Sequence, residues 1–305
     1  LHILKGDVPA VTPGRVLGHE AVGTVVERGT GVDGCREGDR VLLSCISACG
    51  RCRFCREGRF GQCLDGGGWI FGHLIDGVQA EYARVPFADT STYPVPDGVS
   101  DEQVLYLADI LPTAYEVGVL SGGVRPGDVV AIVGCGPIGL SALVGSSLFS
   151  PAAVVAIDSV ASRRALALEF GADRAVAPEE APDVVRDLTG GLGADVTIEA
   201  VGVPETFDLC TELVRPGGHV ANVGVHGKPV TLHLETLWTK DVTITTGLVD
   251  TYSIPTLLRL IGAGKIDPLR FTTHRFELGQ AMDAYDTFAR AGETGALKVL
   301  MERVA

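Results

Sequence analysis

No apolar run in this 305-residue chain reaches the roughly 18 residues a membrane-spanning helix requires. Nor does a charged stretch followed by a short apolar one open it, as a secretory leader would. Positive charge is also scarce: 25 Lys and Arg against 38 Asp and Glu leave a formal net charge of −13. Nucleic acid and anionic membrane both require a basic face, so neither is an expected partner. The simplest expectation is a soluble, cytoplasmic protein. There is no fixed-period repeat and no low-complexity segment. The forty glycines show no period of three, which excludes a collagen-like chain.

What is present suits about two domains. Up to about residue 117, short apolar runs alternate with Gly, Pro and Asp turns, as in AVGTVV (21–26), DRVLLSC (39–45) and EYARVP (81–86). This predicts an all-β region of short strands. SGGVRPGD (121–128) reads as a boundary. Beyond it VVAIV, AVVAI, ADVTIE, HVANVG and VTITT are continuous apolar runs, as buried parallel strands should be. Helical stretches lie between them (137–149, 159–172 and 204–214), so βαβ units and a doubly wound α/β sheet are expected. The tail predicts an amphipathic helix in FELGQAMDAYDTFARA and a last strand in ALKVLME.

VVAIVGCGPIGL places G-x-G-x-x-G (Gly134, Gly136, Gly139, with Pro137 and Ile138 inside it) directly after a strand and at the start of a helix. That context predicts a dinucleotide site: a tight turn, close approach of the pyrophosphate, and close helix packing. Asp158 ends the next strand, nineteen residues beyond Gly139. A carboxylate there accepts from ribose hydroxyls and repels a 2′-phosphate, which favours NAD. Arg163 and Arg164 follow closely and pull the other way.

Four of the eight cysteines crowd into CGRCRFCREGRFGQC: Cys49, Cys52, Cys55 and Cys63, spaced C-x2-C-x2-C-x7-C. Four thiolates suit a closed, structural zinc site, and Arg51, Arg53, Arg56 and Arg59 would partly offset its excess negative charge. Cys35, Cys45, Cys135 and Cys210 read as packing or surface residues. His19 and Glu20, in GHEAVG, precede a short strand, and Asp109 is an acid inside an apolar stretch, ADILPTAY. A lone histidine is usually structural, and a buried carboxylate usually pairs or binds metal. Neither alone decides.

Together the motifs PGRVLGHEAVG, CGRCRFCREGRFGQC, GGWIFG, ADILPTAY, VGCGPIGLSA, VANVGVHG and the final LKVLM resemble the zinc-dependent medium-chain alcohol dehydrogenases. The nearest branch is that of NAD-dependent secondary-alcohol dehydrogenases with Asp as a metal ligand. The resemblance implies a GroES-like catalytic domain over 1–117 carrying the structural zinc loop. It implies a Rossmann domain over 118–264 and a return to the catalytic domain over 265–305. It implies a catalytic zinc held by His19, Asp109 and a cysteine, with Glu20 as alternate partner. That cysteine belongs to a Cys-Gly-Thr-Asp segment expected ahead of LHILKGD, together with the relay threonine. Neither Cys35 nor Cys45 is expected to replace it. His2 would end the proton relay. Val201, Gly202, Val223, Leu248 and Val249 would contact the cofactor, Arg163 would lie beside it, Lys298 would reach the pyrophosphate, and Trp69 would line the substrate pocket. The expected reaction is hydride transfer between a small or medium alcohol, secondary by preference, and NAD. Formaldehyde, polyol and threonine dehydrogenases share the scaffold, and a non-catalytic dinucleotide binder with structural zinc alone is the alternative of another class. A homodimer or homotetramer is expected.

Overall fold

The computed structural model describes residues 2–6 and 8–303 and divides the chain into two compact units. One comprises residues 1–112 and 249–305, the other 113–248. The breaker-rich loop at 121–128 is therefore not where the division falls. A helical run, Ile110–Thr113 continued by π-helical turns over Ala114–Leu120, opens the second unit ahead of it.

In the first unit β1 (Ala21–Thr24) pairs antiparallel with β2 (Arg40–Leu43), and β2 with β3 (Thr92–Pro94). Val41 and Leu43 of β2 are buried with Cys35 in a small apolar cluster. The region is less strand-rich than the sequence pattern suggests. EYARVP forms no strand: residues 81–84 are exposed and have no ladder partner. Apolar alternation describes a half-buried surface and makes a strand only where a neighbour supplies the hydrogen bonds. Short helices fill the unit, among them Asp101–Leu105, started by a capping box of Ser100 and Gln103.

The second unit carries β4 (Val129–Val133), β5 (Ala153–Ile157), β6 (Arg174–Val176), β7 (Ala194–Glu199), β8 (Val214–Asn222) and β9 (Thr243–Thr246). All pair in parallel, in the order β6-β5-β4-β7-β8-β9. Every residue of β4 and β5 is buried, which is why both read as unbroken apolar runs. Helices Pro137–Ser147, Ala161–Glu169, Ala181–Thr189 and Pro204–Leu213 connect the strands. Strand order reverses between β4 and β7, and in such sheets ligands bind at the carboxyl ends of the strands at this point.

The chain then re-enters the first unit. There β10 (Thr272–Glu277) and β11 (Lys298–Glu302) form a parallel pair joined through the helix Ala281–Ala289. Among the described residues no helix is long and apolar enough to cross a membrane.

Candidate active site and metal centres

The glycine turn leaves β4 at Gly134, whose φ is +102°. A Cβ there would lie 2.5 Å from Val201 Cγ2, and one on Gly139 would lie 1.7 Å from Gly134 O. These two positions admit only glycine because turn, helix and the end of β7 meet there. Gly136 is different: a Cβ on it would meet nothing within 4 Å. That face is open, at the start of a helix whose N-cap, Gly136, has no side chain to offer its first amides. Unpaired amides beside open space are the donor set for a pyrophosphate.

Asp158 is buried beside this turn. Its Oδ2 accepts from the Cys135 amide at 2.8 Å and its Oδ1 from the Val160 amide at 2.8 Å. Arg163 lies 4.0 Å from the carboxylate, and Arg164 is engaged with the carbonyls of Asp158 and Ser159. The two arginines are thus drawn toward this acid and its backbone. Of the other expected cofactor contacts, Val201 and Leu248 are largely exposed, Gly202 is buried at φ +88°, and Val223 is half-buried. Val249 is buried, at 3 % exposure.

In the first unit the four sulfurs of Cys49, Cys52, Cys55 and Cys63 lie within 4.8 Å of one another. Amides of Cys49, Cys52 and Leu64 donate to the sulfurs of Cys63, Cys49 and Cys52 at 3.3–3.5 Å. The Leu64 amide leads in pulling the Cys52 thiol down to about 6, while burial and the neighbouring sulfurs push Cys55 up to about 12. Four sulfurs so close cannot all carry negative charge unaided, and a divalent cation resolves the conflict. The donor set fits zinc. The nearby arginines do less than expected for its charge: Arg51 pairs with Asp65 at 3.3 Å and Arg53 with Glu57 at 3.0 Å.

A second cluster is assembled from distant sequence. His19, Glu20 and Asp109 offer ligand atoms within 4.8 Å of one another. Gly77 makes room for the first two: a Cβ on it would come 2.2 Å from Gly18 O, so the segment before β1 can lie flat against the loop. Asp109 follows Ala108, whose carbonyl accepts from the Cys45 amide at 2.9 Å and so ties the turn to the end of β2. His19 Nε2 and Asp109 Oδ2 are 3.0 Å apart. Burial pushes the His19 imidazole down, but the hydrogen bond and charge of Asp109, with Glu20, outweigh it and hold the group above 6.5. Trp69 meets His19 edge-on at 5.7 Å, and His73 stacks on Trp69 at 4.6 Å. An imidazole and two carboxylates, all partly buried, suit a catalytic divalent metal.

Residues 1–97 match the family described as the alcohol dehydrogenase GroES-like domain, and residues 137–263 the zinc-binding dehydrogenase family. An alcohol dehydrogenase of Cupriavidus necator is 36% identical over 323 residues, covering 99% of this chain and 87% of the relative. The chain belongs to the zinc-dependent medium-chain alcohol dehydrogenase family. Zinc dependent alcohol dehydrogenase 2 from Streptococcus pneumonia, solved in its apo form, is 47% identical with a TM-score of 0.95 over 100% of this chain and 87% of that one. A zinc-binding dehydrogenase from Sinorhizobium meliloti 1021, bound to NADP, is 30% identical with a TM-score of 0.84 over 98% and 86%. This dehydrogenase is accordingly an oxidoreductase using zinc and a nicotinamide dinucleotide, with a GroES-like part and a Rossmann sheet.

For this zinc-dependent dehydrogenase the structure gives two side chains partners that sequence reasoning missed. Lys298, expected at the pyrophosphate, directs its ammonium to Glu20, 2.8 Å from Oε1 and 2.7 Å from Oε2. The two are 278 residues apart, and contacts such as Arg275 with Glu102 and Tyr285 with Gln79 show that the tail returns to this unit. Glu199, fully buried at the end of β7, accepts at Oε1 from the amides of Val201 and Gly202 and from Thr206 Oγ1, at 2.7–2.9 Å. It shapes the turn that carries Val201 and Gly202. An acid ending an apolar strand run was the available signal. The Trp69 indole nitrogen is buried without a hydrogen-bond partner among the described residues. The side chain of His2 lies outside the described residues.

Proposed function

We propose that the chain oxidises small or medium alcohols, secondary ones by preference, with NAD as hydride acceptor, and reduces the corresponding carbonyls. The observation that supports this best is the convergence of His19, Glu20 and Asp109 within 4.8 Å, with Trp69 against the imidazole. His19 and Asp109 would hold the catalytic zinc, with Glu20 as the exchangeable third group, and the four cysteines the structural one. The metal supplies Lewis acidity toward a hydroxyl, and the dinucleotide supplies the hydride acceptor.

The chain's own residues set the conditions for this. Lys298 holds Glu20 to one side by its two short contacts, so the carboxylate is free to engage only when that ion pair loosens. Trp69 walls one side of His19 and excludes water there, and its indole N–H is a donor for an oxygen of substrate. The amides ahead of the helix Pro137–Ser147 would take the pyrophosphate. Asp158 would accept from the adenosine ribose and repel a 2′-phosphate, with Arg163 as the moderating cation. Val201, Gly202, Val223, Leu248 and Val249 would flank the nicotinamide. His2 is the proposed last group of the proton relay. The eight cysteines, none in a disulfide, support a cytoplasmic location, and an even-numbered homo-oligomer is the proposed assembly.

The test is NADH formation by the zinc-loaded protein with matched primary and secondary alcohols, polyols, threonine and formaldehyde adducts, repeated with NADP. Secondary alcohols with NAD should give the highest kcat/KM. A higher value for a polyol or threonine, or with NADP, overturns the assignment of substrate or cofactor respectively. Zinc analysis should return two ions per chain, where a non-catalytic dinucleotide binder would retain one.

A further inference from the structure

Glu199 ends β7 and is fully buried, although it is an acid. A carboxylate in such a place is costly unless donors surround it. Its Oε1 has three: the Val201 amide at 2.9 Å, the Gly202 amide at 2.8 Å and Thr206 Oγ1 at 2.7 Å. Its Oε2 faces the loop that follows β8. A Cβ on Gly224 would come 2.2 Å from that oxygen and 2.3 Å from the Gly202 nitrogen. A Cβ on Gly202 would come 2.3 Å from Val225 O. The two loops therefore touch backbone to backbone, with the acid between them. The main chain repeats the tie: the Val223 and Gly224 amides both donate to Glu199 O, at 2.9 and 3.1 Å. Asn222, buried at the end of β8, donates from Nδ2 to Gly224 O at 3.1 Å. Its Oδ1 is then the acceptor for His226 Nε2–H at 2.8 Å. The same imidazole nitrogen lies 3.5 Å from Glu199 Oε2. Every one of these groups belongs to the second unit.

We infer that Glu199 is a positioning residue for the nicotinamide half of the cofactor and not for its adenosine half. It fastens loop 200–203 to loop 223–226, and with Asn222 and His226 it sets the path on which Val201, Gly202 and Val223 are presented. The strand order gives the division. Asp158, directly after β5, lies on one side of the glycine turn that leaves β4, and the loops after β7 and β8 lie on the other. A dinucleotide with its pyrophosphate at that turn and its adenosine ribose at Asp158 has its other half over those two loops. The inference rests on the assignment of Val201, Gly202 and Val223 to the nicotinamide proposed above. It adds that a buried acid, acting only through the backbone of its neighbours, decides how well that half is held.

Calorimetry on the zinc-loaded protein tests it with two probes: NADH, and ADP-ribose, which lacks the nicotinamide. Glu199→Ala should raise the NADH Kd about tenfold, as expected when a binding-competent arrangement loses hydrogen bonds to a charged group. The ADP-ribose Kd should stay within about twofold of wild type, because the glycine turn and Asp158 are untouched. Hydrogen exchange should quicken in the peptides spanning 200–203 and 223–226 together. Glu199→Gln keeps an oxygen for the two amides and the threonine, so it should restore most of the NADH affinity. Asn222→Ala spares the buried acid and is the milder variant, suited to the case in which Glu199→Ala does not fold. It should raise the NADH Kd about threefold, again without moving ADP-ribose. Equal losses for the two probes would make the acid a support of the whole sheet and overturn the inference. So would wild-type NADH affinity in both Glu199→Ala and Asn222→Ala. Val201→Ala, at an exposed position, checks the reading beneath it: an unchanged ratio of the two Kd values there would overturn the assignment of this loop to the nicotinamide.

Discussion

The two candidate metal clusters of this dehydrogenase are built in opposite ways. The cysteine cluster takes all its ligands from fifteen consecutive residues and a loop that folds on itself. The His19–Glu20–Asp109 cluster draws on segments 90 residues apart and is trimmed by a lysine 278 residues from its partner. One offers four soft sulfur donors, a set that would close on the proposed structural zinc. The other has three hard or borderline donors, an apolar wall, and a cation pressing on one carboxylate. Local assembly suits a part that must form first and stay put. Distant assembly places the reactive centre where several elements meet, so its geometry is only as firm as their packing.

The sharpest way to break the comparison is to remove one ligand from each cluster. Asp109→Asn should lose the catalytic ion alone: one zinc per chain instead of two, with kcat/KM down at least about a thousandfold. Thermal stability should change little, because the exchange keeps the shape of the side chain. Cys52→Ser should do the converse. Its zinc count also falls to one, but the expected loss is in stability, roughly 5–10 °C in the temperature of irreversible inactivation. Activity per folded molecule should fall far less than in Asp109→Asn. Metal analysis, kinetics and thermal inactivation on the same two variants decide it. Equal activity losses would mean that the clusters are not separate in function.

Lys298 sharpens the contrast further, because the cysteine cluster has no counterpart to it. An ammonium 2.7 Å from Glu20 opposes a second positive charge at the same carboxylate. Lys298→Met keeps much of the aliphatic stem and removes the charge. Zinc affinity at the His19–Asp109 site should rise about tenfold, read by competition with a chelator. The affinity of the cysteine site should not move. Turnover should drop, since Glu20 would then stay on the metal side.

The same contrast sets what could be read from sequence. The cysteine loop was legible because spacing alone brings four ligands together. The Rossmann sheet was legible because buried parallel strands are continuous apolar runs with glycines at one required place. Yet the helix Ala181–Thr189 passed unnoticed, although Pro182 near its start and Gly190 at its end, with φ +61°, are the ordinary punctuation of a helix. In the first unit the signals are weaker. EYARVP alternates like a strand but finds no partner. His19 and Asp109 acquire meaning only together, and nothing local in the sequence joins them; the family resemblance did. The Lys298–Glu20 pair was not legible for the same reason, as a lone cation near the end of the chain does not announce which carboxylate it will meet.

The smallest effect concerns the clamp that keeps the distant cluster together. Glu102 lies on the helix Asp101–Leu105, shortly before Asp109, and accepts from Arg275 of β10 at 2.6 Å. Burial pushes the Glu102 carboxyl up, but the hydrogen bonds from Arg275 and Thr272, with the charge of Arg275, outweigh it and hold it below 4.5. Because the folded value is the lower one, this carboxylate stabilises the fold above its unfolded pKa. The contribution fades as pH falls through the folded value. Arg275 stays half-exposed, so solvent screens the pair and the effect is modest. Glu102→Gln should therefore lower the denaturation midpoint slightly at neutral pH and converge with wild type in acid. A midpoint difference that persists unchanged between about pH 7 and pH 3 would assign the loss to packing instead of charge. The cysteine loop needs no clamp of this kind, because chain continuity already holds its ligands together; its own dependence on pH would come instead from protonation of the thiolates that hold the metal.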